Sequence, residues 1–354
     1  MKPISIINDL HIGVKRSAGT TPASAAALRS YLLDTFRQLM DTQDDVVILG
    51  DLFDDFTVDA SDFWTTFEIL AEYLKGTGDL TLVRGNHDWS PRADRKSSFD
   101  LLADILKHMR PTQVKVVREG LEHLQDDILI IPHMPNQDLF DLELDKAYER
   151  GGRYLLTHCN MMPPACYGKQ DHSLSINEER AKQLAEKFVI LNAHEHQHVF
   201  YNIGKGIHCL GNQVPSSIAD CLSKGRAQTE GVKFMTTITE DYGLSQVTAW
   251  RTADNFKIVD WRNLADLSEG LSFIRVEGTA SLAEAAQVVN AIANLRQNHD
   301  AFVISNAVQI EGQEAISEDT AEAFESVKTF DVLEAILSEL DEVERKKIKE
   351  ILEC

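Results

Sequence analysis

Five short segments constrain this chain most: Asp9-Leu10-His11, Gly50-Asp51-Leu52-Phe53-Asp54, Gly85-Asn86-His87-Asp88, Thr157-His158-Cys159 and His194-Glu195-His196. Each follows a short apolar run, in turn Ile4–Ile7, Val46–Leu49, Leu80–Val83, Tyr154–Leu156 and Phe188–Leu191. Strands that end in Asp, Asn or His gather those side chains at the carboxyl edge of a sheet, where open α/β folds bind ligands. The seven donors Asp9, His11, Asp51, Asn86, His158, His194 and His196 suffice for two divalent ions sharing one carboxylate. Two such ions, about 3.5–4 Å apart, are a device for in-line attack on phosphate esters.

Taken singly, each block has a bland explanation. Asp after Gly is ordinary turn chemistry, Gly-Asn-His-Asp fits a β-turn, and His-x-His fits a surface pair. Together, in order and each at a strand end, they point to metal. Asp9 and His11 alternate by two and are expected on one side of an extended strand end. Gly50 lets the chain turn so that Asp51, with two oxygens, can bridge two ions. Mixed oxygen and imidazole donors suit Mn²⁺, and Mg²⁺, Fe²⁺ or Zn²⁺ are the other ions to consider.

Up to about residue 215, strands alternate with helical stretches, the signature of a layered α/β fold. Ser24–Met40 carries Leu28, Tyr31, Leu32, Phe36 and Leu39 at helical spacing. Ser61 is the expected cap of a second helix burying Trp64, Phe67, Leu70, Ala71 and Leu74. Ser98–Met109 reads as a third helix, and Val114–Val117 and Ile128–Ile131 read as strands. After His196 come a hairpin, His198–Ile203 with Ile207–Leu210, and two strands, Gly231–Thr239 and Leu244–Arg251. These suggest a second sheet packed on the first, a four-layer α/β/β/α sandwich over residues 1–265.

A break is expected near Arg262–Gly270. Beyond it a small β-α-β unit occupies residues 270–312, with Ser272–Glu277, Leu282–Leu295 and Ala301–Gln309 as its elements. An acidic linker, Glu311–Glu325, leads to a C-terminal helical tail over 326–354. There Val332, Leu333, Ile336, Leu337, Leu340, Val343, Ile348, Ile351 and Leu352 fall on one side, a stripe that needs something to dock on.

Net charge is −21, which argues against a surface that binds nucleic acid as a whole but leaves a phosphodiester substrate open. No apolar run approaches about 18 residues and no signal-peptide pattern opens the chain, so a cytoplasmic protein that enters no membrane is expected. The five cysteines are scattered and read as reduced thiols, Cys159 as a packing residue.

The five blocks resemble the calcineurin-like metallophosphoesterase family, whose pattern is D-x-H, GDxxD, GNH[DE], H and GHxH. The resemblance implies Asp9, His11, Asp51 and His196 on one metal and Asp51, Asn86, His158 and His194 on the other. Ala193 stands where the last block usually has Gly. Asp9-Leu10-His11-Ile12-Gly13, Gly50-Asp51-Leu52-Phe53-Asp54 and Ile131-Pro132-His133-Met134 are most similar to the SbcD/Mre11 nuclease branch, phage members included. That resemblance implies a capping domain for DNA and a helical tail gripping an SMC-like ATPase of the SbcC/Rad50 kind. It also admits a homodimer, in the cytoplasm of a bacterium or phage-infected host.

In this scheme His87 is no ligand. It contacts the phosphate and protonates the leaving oxygen, with Asp54 orienting its ring and favouring the charged form. Asp88 is expected to support the ligands from behind or to cap the turn, and not to be a ligand. Lys15, Arg16, Arg84 and Arg92 are the candidate phosphate contacts, with Arg95 and Lys96 beside them. His133, His172 and His198 are expected to pack loops, and Met161–Ser175 to shape substrate entry. The leading expectation is a Mn²⁺-dependent 3′-5′ double-strand DNA exonuclease subunit, with endonuclease activity as a second capacity. A phosphatase or phosphodiesterase for small nucleotides or phosphoproteins is the alternative. Asp55-Phe56 and Asp88 differ from the Arg-Gly and Glu of protein phosphatases. A non-enzymatic metal-stabilised scaffold is the third reading, and the complete ligand set argues against it.

Overall fold

The computed structural model describes residues 2–14, 22–90, 95–125, 127–162, 173–221, 232–251, 255–267, 270–295 and 301–311. Lys15, Arg16, Arg92, His172, most of the expected entry loop, the acidic linker beyond Glu311 and the C-terminal tail lie outside them.

The chain opens with strands β1 (Ile4–Ile7), β2 (Asp45–Leu49), β3 (Leu80–Val83) and β4 (Val114–Val117), separated by helices α1 (Pro22–Leu39), α2 (Ala60–Tyr73) and α3 (Ser98–Met109). It continues with β5 (Glu122–Gln125), β6 (Ile128–Ile131), α4 (Gln137–Arg150) and β7 (Tyr154–His158). A short pair, β8 (Asn160–Met161) and β9 (Ser175–Ile176), precedes α5 (Glu178–Ala185). Then follow β10 (Val189–Ala193), β11 (Val199–Tyr201), β12 (Ile207–Cys209), β13 (Val232–Ile238) and β14 (Leu244–Arg251).

These strands make two sheets of six, ordered β14-β13-β1-β2-β3-β4 and β11-β12-β10-β7-β6-β5. Strands β1 to β4 run parallel, as do β6, β7, β10 and β12. Antiparallel strands sit at the margins, β5 and β11 on one sheet and the β13–β14 hairpin on the other. The late hairpin β13–β14 thus extends the first sheet beside β1. The second sheet is built mainly from strands between β5 and β12.

Why these runs read as unbroken apolar strings is visible in the packing. Ile4, Ile6, Val47, Leu49 and Val83 of the first sheet share one core with Ile128, Ile130, Leu156 and Leu191 of the second. Their neighbours alternate outward. Ile7, Val46, Ile48, Leu80 and Leu82 pack with α1, α2 and α3, while Leu129, Ile131, Leu155 and Ile190 pack with α4 and α5. Both faces of the parallel strands are therefore buried, as strands covered on two sides must be.

Helix α1 buries Leu28, Leu32, Leu33 and Phe36, close to expectation. Helix α2 departs from it. Its cap position is Asp59, while Ser61 sits inside the first turn and accepts a hydrogen bond from Arg29. The buried face is Asp62, Thr66, Ile69, Leu70 and Tyr73, and Trp64 is 57% exposed, donating to Glu68 on the surface. The Arg29–Asp62 ion pair explains the rotation, because a paired carboxylate occupies the inward turn.

A third, parallel sheet contains β15 (Phe256–Asp260), β16 (Ser272–Glu277) and, after the short β17 (Thr279–Ala280) and helix α6 (Ala285–Leu295), β18 (Ala301–Asn306). β17 pairs with β19 (Gln309–Ile310). One side packs Ile274, Val276 and Val303 on Val288, Ile292 and Leu295 of α6. The other side presents Phe256, Phe273 and Ile304 to the α1 core, with Tyr31 of α1 against both phenylalanine rings. The strand that opens this unit precedes the expected break at Arg262–Gly270, and Trp261 and Leu264 within that stretch belong to its core. Leu282–Glu284 form a separate 3-10 turn before α6, held by a capping box between Ser281 and Glu284.

Candidate metal centre

The parallel strands deliver their carboxyl ends to a common edge, and all five blocks leave from it. Sharp turns, rather than a strand pleat, aim the side chains. Strand β1 ends at Ile7, and Asp9 and His11 then adopt φ of 51° and 47°, so the expectation of an extended strand end is corrected. Asp51 (φ 49°) and His194 (φ 82°) share the left-handed region. Such a conformation is uncommon away from glycine and is held only where neighbours enforce it. Here they do: Asp9 N–H donates to the Gly50 carbonyl, His11 N–H to Asp51 and Ile12 N–H to Leu52, stitching block one to block two.

Two glycines are required by close approach. A methyl at Gly50 would lie 2.2 Å from His158 Nδ1, and one at Gly85 would lie 2.2 Å from Asp51 Oδ1. His158 is consequently locked. Its Nδ1–H donates to the Leu49 carbonyl at 3.0 Å, leaving Nε2 3.2 Å from Asp51 Oδ2 and 2.9 Å from Asn86 Oδ1. His194 Nδ1 is 3.0 Å from the same Asn86 oxygen. Asp51, His158 and His194 form one donor group, with Asn86 between the rings.

Asp9, His11 and His196 form a second group, and His11, Asp54 and His87 form a third beside it. His11 Nε2 and His196 Nε2 are 3.0 Å apart, and Asp51 Oδ2 lies 3.8 Å from His11 Nε2. The Asp51 carboxylate thus stands between the first two groups. Asp9 is fixed from two sides, accepting from Asn8 Nδ2 at 2.6 Å and from the His194 N–H.

Burial raises the Asp51 carboxyl, but His158 and then His11 outweigh it, holding the group well below the usual carboxylate range. Burial lowers His158, yet the facing Asp51 lifts it to about 9. The donor set itself, buried carboxylates, an amide oxygen and four imidazoles converging on two points, fits a pair of divalent cations. Ala193, in place of the usual Gly, is the last residue of β10 and sits in the inter-sheet core, so its methyl is accommodated.

His87 N–H donates to Asp51 Oδ1 at 2.9 Å, and its Nδ1–H donates to the backbone carbonyl of Asp54 at 2.6 Å. The expected orientation by Asp54 is therefore corrected in its atom: the main chain holds His87, while the Asp54 carboxylate lies 3.2 Å from His11 Nδ1. Asp88 is fully buried and accepts from the N–H groups of Leu52, Phe53 and Gly85, tying block two to block three. Burial, with Asp51 nearby, pushes its carboxyl up to about 7.

Arg84 is only 7% exposed, and its guanidinium donates to the Arg118 carbonyl. Arg95 lies over the Phe56 ring and Lys96 pairs with Asp104. His133 is buried beside Trp89, and burial holds its imidazole down at about 3. His198 packs on Phe234, near Gln246. Cys159 is buried, its thiol donating to Asn192.

Three supports lie outside the expected ligand set. Glu195 accepts the Met161 N–H, bracing the chain after His158. Asn192 accepts from Thr157 and donates to the Cys159 carbonyl. Asp220 accepts from His196 Nδ1 at 2.9 Å. Only the last offers a trace in sequence, a polar residue in an otherwise loop-like Ser-rich stretch, and that trace is too common to use.

Residues 2–198 match the family model described as calcineurin-like phosphoesterase. No curated protein matches the sequence. Among solved structures, a phosphopantetheinyl hydrolase from Mycobacterium tuberculosis is 12% identical, covers 59% of this chain and 89% of its own, and has a TM-score of 0.32. A dimetal phosphatase from Danio rerio is 12% identical over 70% of this chain and 99% of its own, with a TM-score of 0.37. A cold-active protein-tyrosine phosphatase from Shewanella is 13% identical over 71% and 81%, with a TM-score of 0.33. Likenesses this distant assign neither a substrate nor a partner to this chain.

Proposed function

The chain belongs to the calcineurin-like phosphoesterase family, and from that premise we propose that it hydrolyses phosphodiesters in DNA as the nuclease subunit of an SbcCD/Mre11-Rad50-like complex. The observation that carries the chemistry is Asp51, one buried carboxylate placed between two donor groups. The nuclease assignment rests on the block-one and block-two residues that resemble that branch. The extra unit, Phe256 to Ile310, seated on α1, supports it. We read the two sheets with their helices as the α/β/β/α sandwich, and this unit as the cap.

Asp9, His11, Asp51 and His196 would hold one divalent cation, and Asp51, Asn86, His158 and His194 the other. When bound, such a pair activates water and draws charge from phosphate oxygens. The chain's own part is to hold the donors still and to supply a proton. His87 is clamped at both its N–H and its Nδ1–H, so its other ring nitrogen is the one available to the substrate. To donate from that nitrogen the ring must be doubly protonated, with its Nδ1–H on the Asp54 carbonyl. The tail, 326–354, is the proposed grip for the ATPase partner.

The test is a panel of linear duplex DNA, single-stranded DNA, a cyclic nucleotide and a phosphopeptide, each incubated with Mn²⁺. Release of nucleotides from duplex ends is expected. Turnover confined to the phosphopeptide or the small nucleotide would reassign the substrate while keeping the phosphoesterase centre. Deleting Asp331–Cys354 is expected to abolish co-purification of the ATPase with metal binding intact, and unchanged co-purification would refute the tail's role.

A further inference from the structure

We infer that Asp220 is a positioning residue for the metal centre: it fixes the ring of His196 so that Nε2 is the ligating nitrogen. The assignment rests on the dinuclear reading of the site and adds a residue that lies outside all five blocks. A carboxylate can only accept from a ring nitrogen, so the 2.9 Å contact between Asp220 Oδ1 and His196 Nδ1 places the hydrogen on Nδ1. The lone pair is then on Nε2, the atom that meets His11 Nε2 at 3.0 Å in the group completed by Asp9.

The carboxylate is built to stay where it is. Asp220 is 7% exposed, and its second oxygen accepts from Ser216 N–H at 2.9 Å, Ser217 N–H at 3.2 Å, Ser216 Oγ at 3.1 Å and Asn212 Nδ2 at 3.1 Å. Lys233 of β13, itself 3% exposed, closes the arrangement. Its ammonium donates to the Asp220 carbonyl at 2.7 Å, to Asn212 Oδ1 at 2.6 Å and to the His196 carbonyl at 3.0 Å. One buried cation therefore joins the turn that bears the carboxylate to the main chain of the ligand. Ile218 on that turn shares a core with Phe256 of β15, so the small unit braces it from behind.

The two donor groups are supported differently. His158 is oriented by a neutral carbonyl, that of Leu49, whereas His196 is oriented by a carboxylate. An outer carboxylate both sets the tautomer and raises the basicity of the ligating nitrogen, and its loss typically costs about 10–100-fold in metal affinity. The effect should fall on one ion of the two.

The experiment is Mn²⁺ binding to the full chain by isothermal titration, for wild type and Asp220→Ala, with thermal melts of both. Asp220→Ala is expected to weaken one binding event by about 10–100-fold and leave the other within a factor of about two. Affinities at both sites unchanged from wild type would overturn the assignment alone. A wild type that takes up no ion would overturn the dinuclear reading and this assignment with it. Should Asp220→Ala fail to fold, ¹⁵N-histidine spectra of Zn²⁺-loaded wild type decide. His196 protonated at Nδ1 supports the assignment, and His196 protonated at Nε2 overturns it.

Discussion

His11 and His196, 185 residues apart in the chain, bring their Nε2 atoms within 3.0 Å of each other. Two ring nitrogens at that distance, beside Asp9 and near Asp51, make sense as donors to a shared charge. On the proposed reading, Mn²⁺ binding would be coupled to folding, since the donor set exists only in the native chain. At a free ion concentration about 100 times the dissociation constant, stabilisation of about 2.7 kcal/mol is expected. Thermal melts with Mn²⁺ and with chelator measure it, and coincident curves would speak against the coupling.

Gly50→Ala should do more harm than a surface substitution. Its φ is 82°, and the added methyl would fall 2.2 Å from His158 Nδ1. The strained conformation alone costs about 1–3 kcal/mol, and His158 must also move away from Asp51. Loss of activity with a lowered melting temperature is expected, and a variant with wild-type kcat would show that His158 tolerates displacement.

For His87, the expected signature is a separation of chemistry from binding. His87→Ala should lower kcat by about 10²–10⁴-fold, the usual worth of a positioned proton donor, while Mn²⁺ stoichiometry stays at the wild-type value. A wild-type rate in the variant would remove His87 from the reaction.

His208 gives a pH dependence of stability away from the centre. Burial, then the nearby His198, lowers its imidazole from the usual 6.5 to about 4, and the ring packs on Phe200. The native state holds it neutral, so the unfolded chain takes up the proton first. Its contribution is complete above pH 6.5 and is lost as pH falls through 4. Urea midpoints over this window should drop in wild type and drop less in His208→Phe. Parallel declines would show that His208 is not responsible.

The gathering of the seven donor residues was legible in sequence because each follows a strand that the apolar pattern already marks, so topology alone brings them together. Asp220 was not, because its contact with His196 arises from a turn folding back across 24 residues. The burial of Arg84 against the Arg118 carbonyl was not legible for a related reason, since it is a tertiary fact. Trp64 failed because α2 turns the paired Asp62 inward, contrary to apolar periodicity. Strand β5, half-buried along its length, shows no pattern to read.

The most direct measurement is anomalous diffraction at the manganese edge from crystals soaked in Mn²⁺. Two peaks are expected, one amid Asp9, His11 and His196 and one amid Asn86, His158 and His194, with Asp51 between them. No peak at either position, with the seven side chains turned apart, would contradict the dinuclear centre outright.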